Sequence, residues 1–343
     1  MRESRSLCMK PAQNSAAPRL PAEWEPQSAL LLTWPRRGGR GSRLAGVEAA
    51  LTQIASQGAA DGLRLLVACA VGGGRERVRR LFAAAGIDAT RTALYPAPAN
   101  DIWARDHGPI AIYRGGAPVL LDFRFDGWGG RFPAQRDDAL TARLHATGAF
   151  GATPLRRLSL VLEGGGIDTD GHGTLLAHRD WPLAGGRNPG LNRAGLERQL
   201  RQALGCRRFL WLRHGRLPKD DTDGHIDLTA RFVSPGALAY TAGAALEAEL
   251  ARLRRPDGRR YDLAPLPMPR QTDGPASYAN FLILNRRVLV PQYGQRDADR
   301  QALTALESCF PDRDCVGIDS RALIADGGAL HCAAMHLPRG IVH

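Results

Sequence analysis

Cys332 lies in Gly327-Gly328-Ala329-Leu330-His331-Cys332, near the end of a chain of 343 residues. Three earlier segments carry groups that could act with it: Trp103-Ala104-Arg105-Asp106-His107-Gly108-Pro109, Leu162-Glu163-Gly164-Gly165-Gly166 and Asp223-Gly224-His225-Ile226-Asp227. Together they offer a thiol, an imidazole and three carboxylates, most of them close to glycine and beside apolar runs. Negative charge raises a thiol pKa, so carboxylates are poor company for a cysteine that attacks a neutral or anionic substrate. Around a cationic electrophile they make sense, and the biological cation with an attackable carbon is a guanidinium.

Each position also has an ordinary reading. A cysteine in an apolar strand is more often core than nucleophile. The Gly-Gly pair and His331 ahead of Cys332 shift that balance, because glycine permits close backbone approach of a ligand. Cys8, Cys69, Cys206, Cys309 and Cys315 lack such neighbours. His225 and Asp227 are alternate residues, expected to share one face of a strand and address one ligand; the plain alternative is a satisfied polar pair at a strand start. Asp106 is either a partner for a nearby arginine or, between Trp103 and Gly108-Pro109, a carboxylate on a rigid loop beside an aromatic wall, which suits a planar cation. Glu163, ahead of three glycines, is a hairpin cap or a site carboxylate. Trp128, within Asp126-Gly127-Trp128-Gly129-Gly130, is expected at a pocket wall.

Two rival readings are weak. His172, His225 and several aspartates could supply a metal, but no HExxH or cysteine-pair spacing supports one, and neither metal nor other cofactor is expected. Leu65-Leu66-Val67 leading into Gly72-Gly73-Gly74-Arg75 imitates a phosphate loop. Arg77 stands where the dinucleotide fingerprint needs its third glycine, and there is no Walker lysine.

The elements that must hold these groups can be read from periodicity. The segment from Arg43 to Gln57 puts Leu44, Val47, Leu51 and Ile54 on one helical face, with a buried strand from Leu63 to Cys69 after it. Asn192 is a plausible N-cap for a helix carrying Leu196, Leu200 and Leu204 and ended by Gly205, followed by a strand from Phe209 to Leu212. Helices from Ala244 to Arg255 and Ala298 to Ser308 precede strands from Tyr261 to Leu266 and Cys315 to Ile318. Hairpins are expected from Ile167 to Leu176, turning at Asp170-Gly171, and from Ala279 to Gln292, turning around Asn285-Arg286. Repeated strand-pair, helix and strand units suggest a radial α/β array.

A hydrophobic content of 44% and a charged content of 23% are ordinary for a globular enzyme. The net charge of +12 invites a nucleic-acid reading. Yet all the basic residues but Lys10 and Lys219 are arginines scattered along the chain, which fits a GC-rich genome better than a binding stripe. No CxxC pair and no run of transmembrane length occur, so a cytoplasmic location with reduced thiols is expected, without nucleic-acid or membrane partners. Residues 1–20 read as a disordered leader, with Met9 an alternative start, and 21–343 as a single domain.

In order along the chain, these segments resemble agmatine deiminases and the related bacterial peptidyl-arginine deiminases of the guanidine-modifying superfamily. The resemblance covers nearly all of residues 21–336. It adds Pro21-Ala22-Glu23-Trp24, Asn100-Asp101-Ile102, Arg187-Asn188-Pro189, Ala276-Ser277-Tyr278-Ala279-Asn280-Phe281 and Pro291-Gln292-Tyr293-Gly294 to the motifs above. It implies a five-bladed pseudosymmetric α/β propeller of ββαβ units. It also implies Cys332 as nucleophile, His225 as general acid/base, Asp106 and Asp227 as guanidinium-binding carboxylates, and Glu163 orienting His225 or the substrate. The implied reaction is hydrolysis of a small guanidine, agmatine first, to N-carbamoylputrescine and ammonia in putrescine biosynthesis. It would run through a thiouronium intermediate and without a cofactor. Ala329, Ala333-Ala334-Met335-His336 and His172 depart from the family pattern and bear on substrate preference rather than chemistry. Deimination of free or peptidyl arginine, amidino transfer, a Cys-His-Asp peptidase and a non-catalytic binder of cationic ligands are the alternatives. A homodimer is compatible with the sequence.

Overall fold

The computed structural model describes residues 17–36, 43–270 and 272–342. Residues 1–16, with Cys8 and Met9, lie outside the described residues. Residues 17–20, assigned above to a disordered leader, are instead tied down. Pro18 and Arg19 pair antiparallel with Arg114 and Tyr113, and the Leu20 amide donates to the Leu204 carbonyl at 3.0 Å.

The fold is mixed α/β, with five separate sheets of three or four strands among the described residues. Four of them repeat one pattern, in which a hairpin is followed by helical chain and a strand parallel to the hairpin's second member. Ile110–Arg114 and Ala117–Arg124 are joined by Leu155–Val161. Asp168–Thr169 and Thr174–His178 are joined by Arg208–Leu212. Ala230–Ser234 and Ala237–Thr241 are joined by Asp262–Leu266. Leu282–Ile283 and Arg287–Gln292 are joined by Asp314–Asp319. The fifth sheet is built from both ends of the chain: Ala334–Pro338 pairs antiparallel with Gln27–Thr33, which continues in parallel to Arg64–Cys69 and Thr92–Pro96. That pairing anchors the chain two residues after Cys332.

Strand alternation explains why these strands are continuously apolar. In Gln27–Thr33, Leu30 and Leu32 enter one hydrophobic cluster while Ala29 and Leu31 enter another, so both faces are covered. Each leucine buried this way contributes about 2 kcal/mol. The expected helices appear as Leu44–Ala60, Arg193–Leu204, Ala244–Leu250 and Arg296–Cys309. Asn192 caps its helix by accepting from the Gly195 amide at 2.9 Å, and Gly205 ends it with φ +74°. The helix expected to run from Ala244 to Arg255 stops at Leu250, because the Arg254-Arg255-Pro256-Asp257-Gly258 turn claims the remainder. Among the described residues no helix is long and apolar enough to cross a membrane.

Candidate active site

Short one-turn segments, rather than the regular elements, present the chemical groups. Cys332 sits in the helical turn Leu330–Ala333 and Asp106 in Ala104–His107. Glu163 leads into the 3-10 turn Gly164–Gly166, and His225 leads into another, Ile226–Leu228. The expectation that His225 and Asp227 share a strand face is therefore overturned. His225 is extended but Asp227 is helical, and the turn still aims both side chains inward. The Thr222 hydroxyl accepts the His225 amide at 3.0 Å and fixes the start of that turn.

These groups converge. The Cys332 Sγ is 3.7 Å from Asp227 Oδ2. The His225 ring lies between Asp106, with Nδ1 3.6 Å from Oδ1, and Glu163, with Nε2 3.2 Å from Oε2. Gly165 makes the packing feasible: a Cβ there would lie 2.7 Å from His225 Nδ1 and 2.8 Å from Asp106 Oδ1. Its amide donates to that same Asp106 oxygen at 3.0 Å. Trp128 holds the other Asp106 oxygen through its Nε1 at 3.0 Å, and does so from the left-handed region at φ 58°. Such a conformation costs about 1–3 kcal/mol and is kept here by edge-on contacts with Phe125 and Phe132.

A cavity of about 490 Å³ opens onto Asp106, His225 and Cys332, with Trp103 and Trp128 in its wall. Asp227 and Glu163 lie just behind that lining and are fully buried. Two buried atoms at this centre have no hydrogen-bond partner, His225 Nδ1 and Asp227 Oδ1. Buried polar atoms left unpaired are uncommon and costly. The cavity also reaches Asp101, Asp221 and Asp326, so its outer part carries carboxylates as well.

Charge is arranged to suit a cation. Burial pushes the Cys332 thiol well up from its ordinary value, and Asp227 and Asp106 push it further. Burial raises Asp106 to about 6, with Asp227 and Glu163 adding to the rise and His225 opposing it. For His225 burial favours the neutral ring, but Asp106, Glu163 and Asp227 outweigh it and lift the ring to about 9. Glu163 is held below its usual range, since His225 and Arg187 overcome the opposing effect of burial. Asp227 is held low in the same way by His331, His225 and Arg231 against burial. At neutral pH the centre therefore holds a protonated imidazole and a protonated thiol.

All the residues singled out from sequence (Cys332, His225, Glu163, Asp106, Asp227, Trp103 and Trp128) meet at this one place. Others were overlooked. Asn280 donates from Nδ2 to the Cys332 Sγ at 3.2 Å and accepts the His331 amide on Oδ1 at 3.0 Å. Arg187 clamps Glu163 at 2.8 Å and Asp223 at 2.7 Å, and Trp181 donates to Glu163 at 2.6 Å. The available signal for Asn280 and Arg187 was their position inside the quoted motifs, a polar side chain among apolar neighbours.

A thiol, an imidazole and buried carboxylates thus meet around one cavity. Residues 19–338 match the model of the Porphyromonas-type peptidyl-arginine deiminases. The chain belongs to that family. Its curated relatives include the agmatine deiminase of Pseudomonas aeruginosa, 31% identical over 93% of this chain and 95% of that protein. The agmatine deiminase of Stutzerimonas stutzeri is also 31% identical, over 94% of this chain and 96% of that one. Among solved structures, a candidate arginine deiminase from Porphyromonas gingivalis is 42% identical, with a TM-score of 0.88 over 95% of this chain and 100% of that one.

Proposed function

We propose that this enzyme hydrolyses the guanidinium group of agmatine to N-carbamoylputrescine and ammonia. The observation that carries the reading is the buried, unpartnered Asp227 Oδ1, an acceptor whose companion oxygen lies 3.7 Å from the Cys332 sulfur. A planar cation between Asp106 and Asp227 would donate N–H bonds to their carboxylates and bring its carbon to the Cys332 sulfur. The cation also favours the thiolate that the free site disfavours. Sulfur attacks the central carbon, and the His225 imidazolium gives its proton to the departing ammonia. The neutral ring then takes a proton from water as that water attacks the thiouronium carbon, and the C–S bond breaks to release the ureido product. Glu163 positions His225, Trp103 and Trp128 wall the cation, and no cofactor takes part.

The outer carboxylates favour agmatine. Its second end is an ammonium, which Asp221 on the lining would attract, whereas the carboxylate of free arginine would be repelled. The curated agmatine deiminases support this reading. The 42% identity to a candidate arginine deiminase supports the alternative, deimination of free or peptidyl arginine. Ammonia release from agmatine, free arginine and an arginyl peptide decides between them. The expected order of kcat/KM is agmatine, then arginine, then peptide, and arginine or peptide in first place would overturn the specificity. Adding an acceptor amine should not raise turnover, as it would for an amidinotransferase.

The activity should be bell-shaped in pH. Below about 6 Asp106 gains a proton and loses its charge for the cation, so kcat/KM falls on the acid side. Above about 9 His225 loses the proton that the leaving ammonia needs, so it falls on the basic side. A kcat/KM profile that rises monotonically through pH 9 would remove His225 as the acid.

The five sheets with their repeated hairpin, helix and parallel strand fit a five-bladed propeller, with the fifth blade closed by the two chain ends. We propose one deiminase domain that includes the paired residues 17–20, in a cytoplasmic protein compatible with a homodimer.

A further inference from the structure

Consecutive residues in the two helical turns of the site are rotated by about 100° and so face different cavities. Asp106 and Cys332 line the cavity described above, while Arg105 and His331 line a second one of about 510 Å³. The two share no lining residue. Glu23, His336 and Asp168 supply further polar lining to the second cavity, against apolar neighbours such as Ile167.

A continuous chain of side chains joins the two. Asp227 Oδ2, 3.7 Å from the Cys332 sulfur, is 2.7 Å from His331 Nδ1. On the other side of that ring, Nε2 is 2.7 Å from Glu23 Oε2. An imidazole with a carboxylate oxygen at hydrogen-bond distance from each nitrogen can take a proton at one nitrogen as it gives one up at the other. Glu23 also accepts from Arg231 Nη2 at 2.8 Å and from the Ile283 amide at 2.8 Å. Arg105 lies 3.5 Å and His336 3.8 Å from it, and Asp168 faces it across Arg231.

The thiol proton needs such an exit. Cys332 must lose it before attack, and His225 already carries the proton destined for the leaving group. Substrate in the first cavity would also cover a sulfur whose residue is only 7% exposed. We propose that Asp227, His331 and Glu23 form a path that carries the Cys332 proton toward the second cavity and returns it when the thiolate is released. The proposal rests on Cys332 being the nucleophile. In the forward step the S–H bond breaks with its electron pair left on sulfur, and the proton passes by way of Asp227 Oδ2 to form an N–H bond at His331 Nδ1, so that Asp227 remains a carboxylate for the cation. As this happens the Nε2–H bond of His331 breaks, its pair stays on the ring, and an O–H bond forms on Glu23 Oε2. The four groups keep the same total charge throughout, and Glu23 exchanges its proton with water in the second cavity. Glu23 and His331 do not touch substrate and act through Asp227.

Glu23→Gln tests the path, because glutamine keeps a hydrogen bond to His331 and cannot take the proton. The expected result is a kcat lowered about 10- to 100-fold with KM within about twofold, since a positioned proton acceptor contributes on this scale or more. The lost rate should return in part as imidazole buffer is raised, because imidazole can accept the proton at the mouth of the second cavity. Wild-type kcat in Glu23→Gln, or a loss that imidazole concentration does not move, overturns the proposal. Because Glu23 also holds Arg231, Ile167→Phe gives an independent reading: it fills the second cavity without touching a hydrogen bond of the path. It should lower kcat with KM unchanged, and wild-type kcat in a folded Ile167→Phe protein also overturns the proposal. Ammonia release by the wild-type enzyme, and its absence in Cys332→Ser, reports the chemistry separately from the route.

Discussion

Cys332→Ser should bind agmatine about as well as the wild-type enzyme and turn it over at least a thousandfold more slowly. A hydroxyl is a far weaker nucleophile than a thiolate, and its pKa lies so far above that of a thiol that a neighbouring cation cannot ionise it. A thousandfold is about 4 kcal/mol of barrier, the scale expected when the only bond-forming atom is replaced. The substitution is nearly isosteric, so Asn280 and Asp227 keep their positions around it. Substrate affinity and ammonia release must therefore be measured on the same preparation. Turnover within tenfold of wild type would falsify the nucleophile assignment. The wild-type thiol carries a companion expectation. Its alkylation should show a pKa at or above the ordinary value of about 8.5, because burial, Asp227 and Asp106 all raise it. A cationic substrate analogue should bring that pKa down.

Asp227→Asn should lower kcat/KM for agmatine by about 100- to 1000-fold. Breaking one side of a buried charge pair costs several kcal/mol, and the guanidinium would then face an amide where it now meets a carboxylate. The variant should stay folded, because the asparagine oxygen can still accept from His331 Nδ1, which now lies 2.7 Å from Asp227 Oδ2. The sign of a second effect separates charge from shape. Removing a negative group 3.7 Å from the sulfur should lower the thiol pKa, so Asp227→Asn should be alkylated faster than wild type at neutral pH. Slower catalysis with faster alkylation is the signature of a carboxylate serving the cation. Unchanged kcat/KM would place the guanidinium elsewhere.

The regular elements were legible because their signals are local. Asn192 and Gly205 punctuate a helix through side-chain and backbone preferences that act within one turn, and the helix follows them. Asp170-Gly171 marks a hairpin for the same reason, with Gly171 at φ +75°. The site geometry was less legible. Periodicity suggested a strand for His225-Ile226-Asp227, but a three-residue pattern does not separate a strand from a turn. What decided it was the Thr222 hydroxyl on the His225 amide and the packing around Gly165. The end of the expected leader failed similarly, since the pairing of Pro18 and Arg19 depends on a strand almost a hundred residues away.

By itself the sequence determined the chemical inventory. A thiol in the company of carboxylates, with an imidazole and two tryptophans in the same motifs, already favours a cationic electrophile, because negative charge opposes the thiolate by residue type alone. Tertiary structure decided which groups share the centre and what each can do there. Glu163 is held low only because His225 and Arg187 lie against it, and Asp106 is raised because the fold buries it beside Asp227 and Glu163. Asn280 reaches the sulfur, and Glu23 reaches Asp227 through His331, across sequence separations of 52 and 308 residues for their direct contacts. Such contacts depend on how separate sheets pack, and no local pattern encodes them, because their energy comes from burial and charge shared between distant segments.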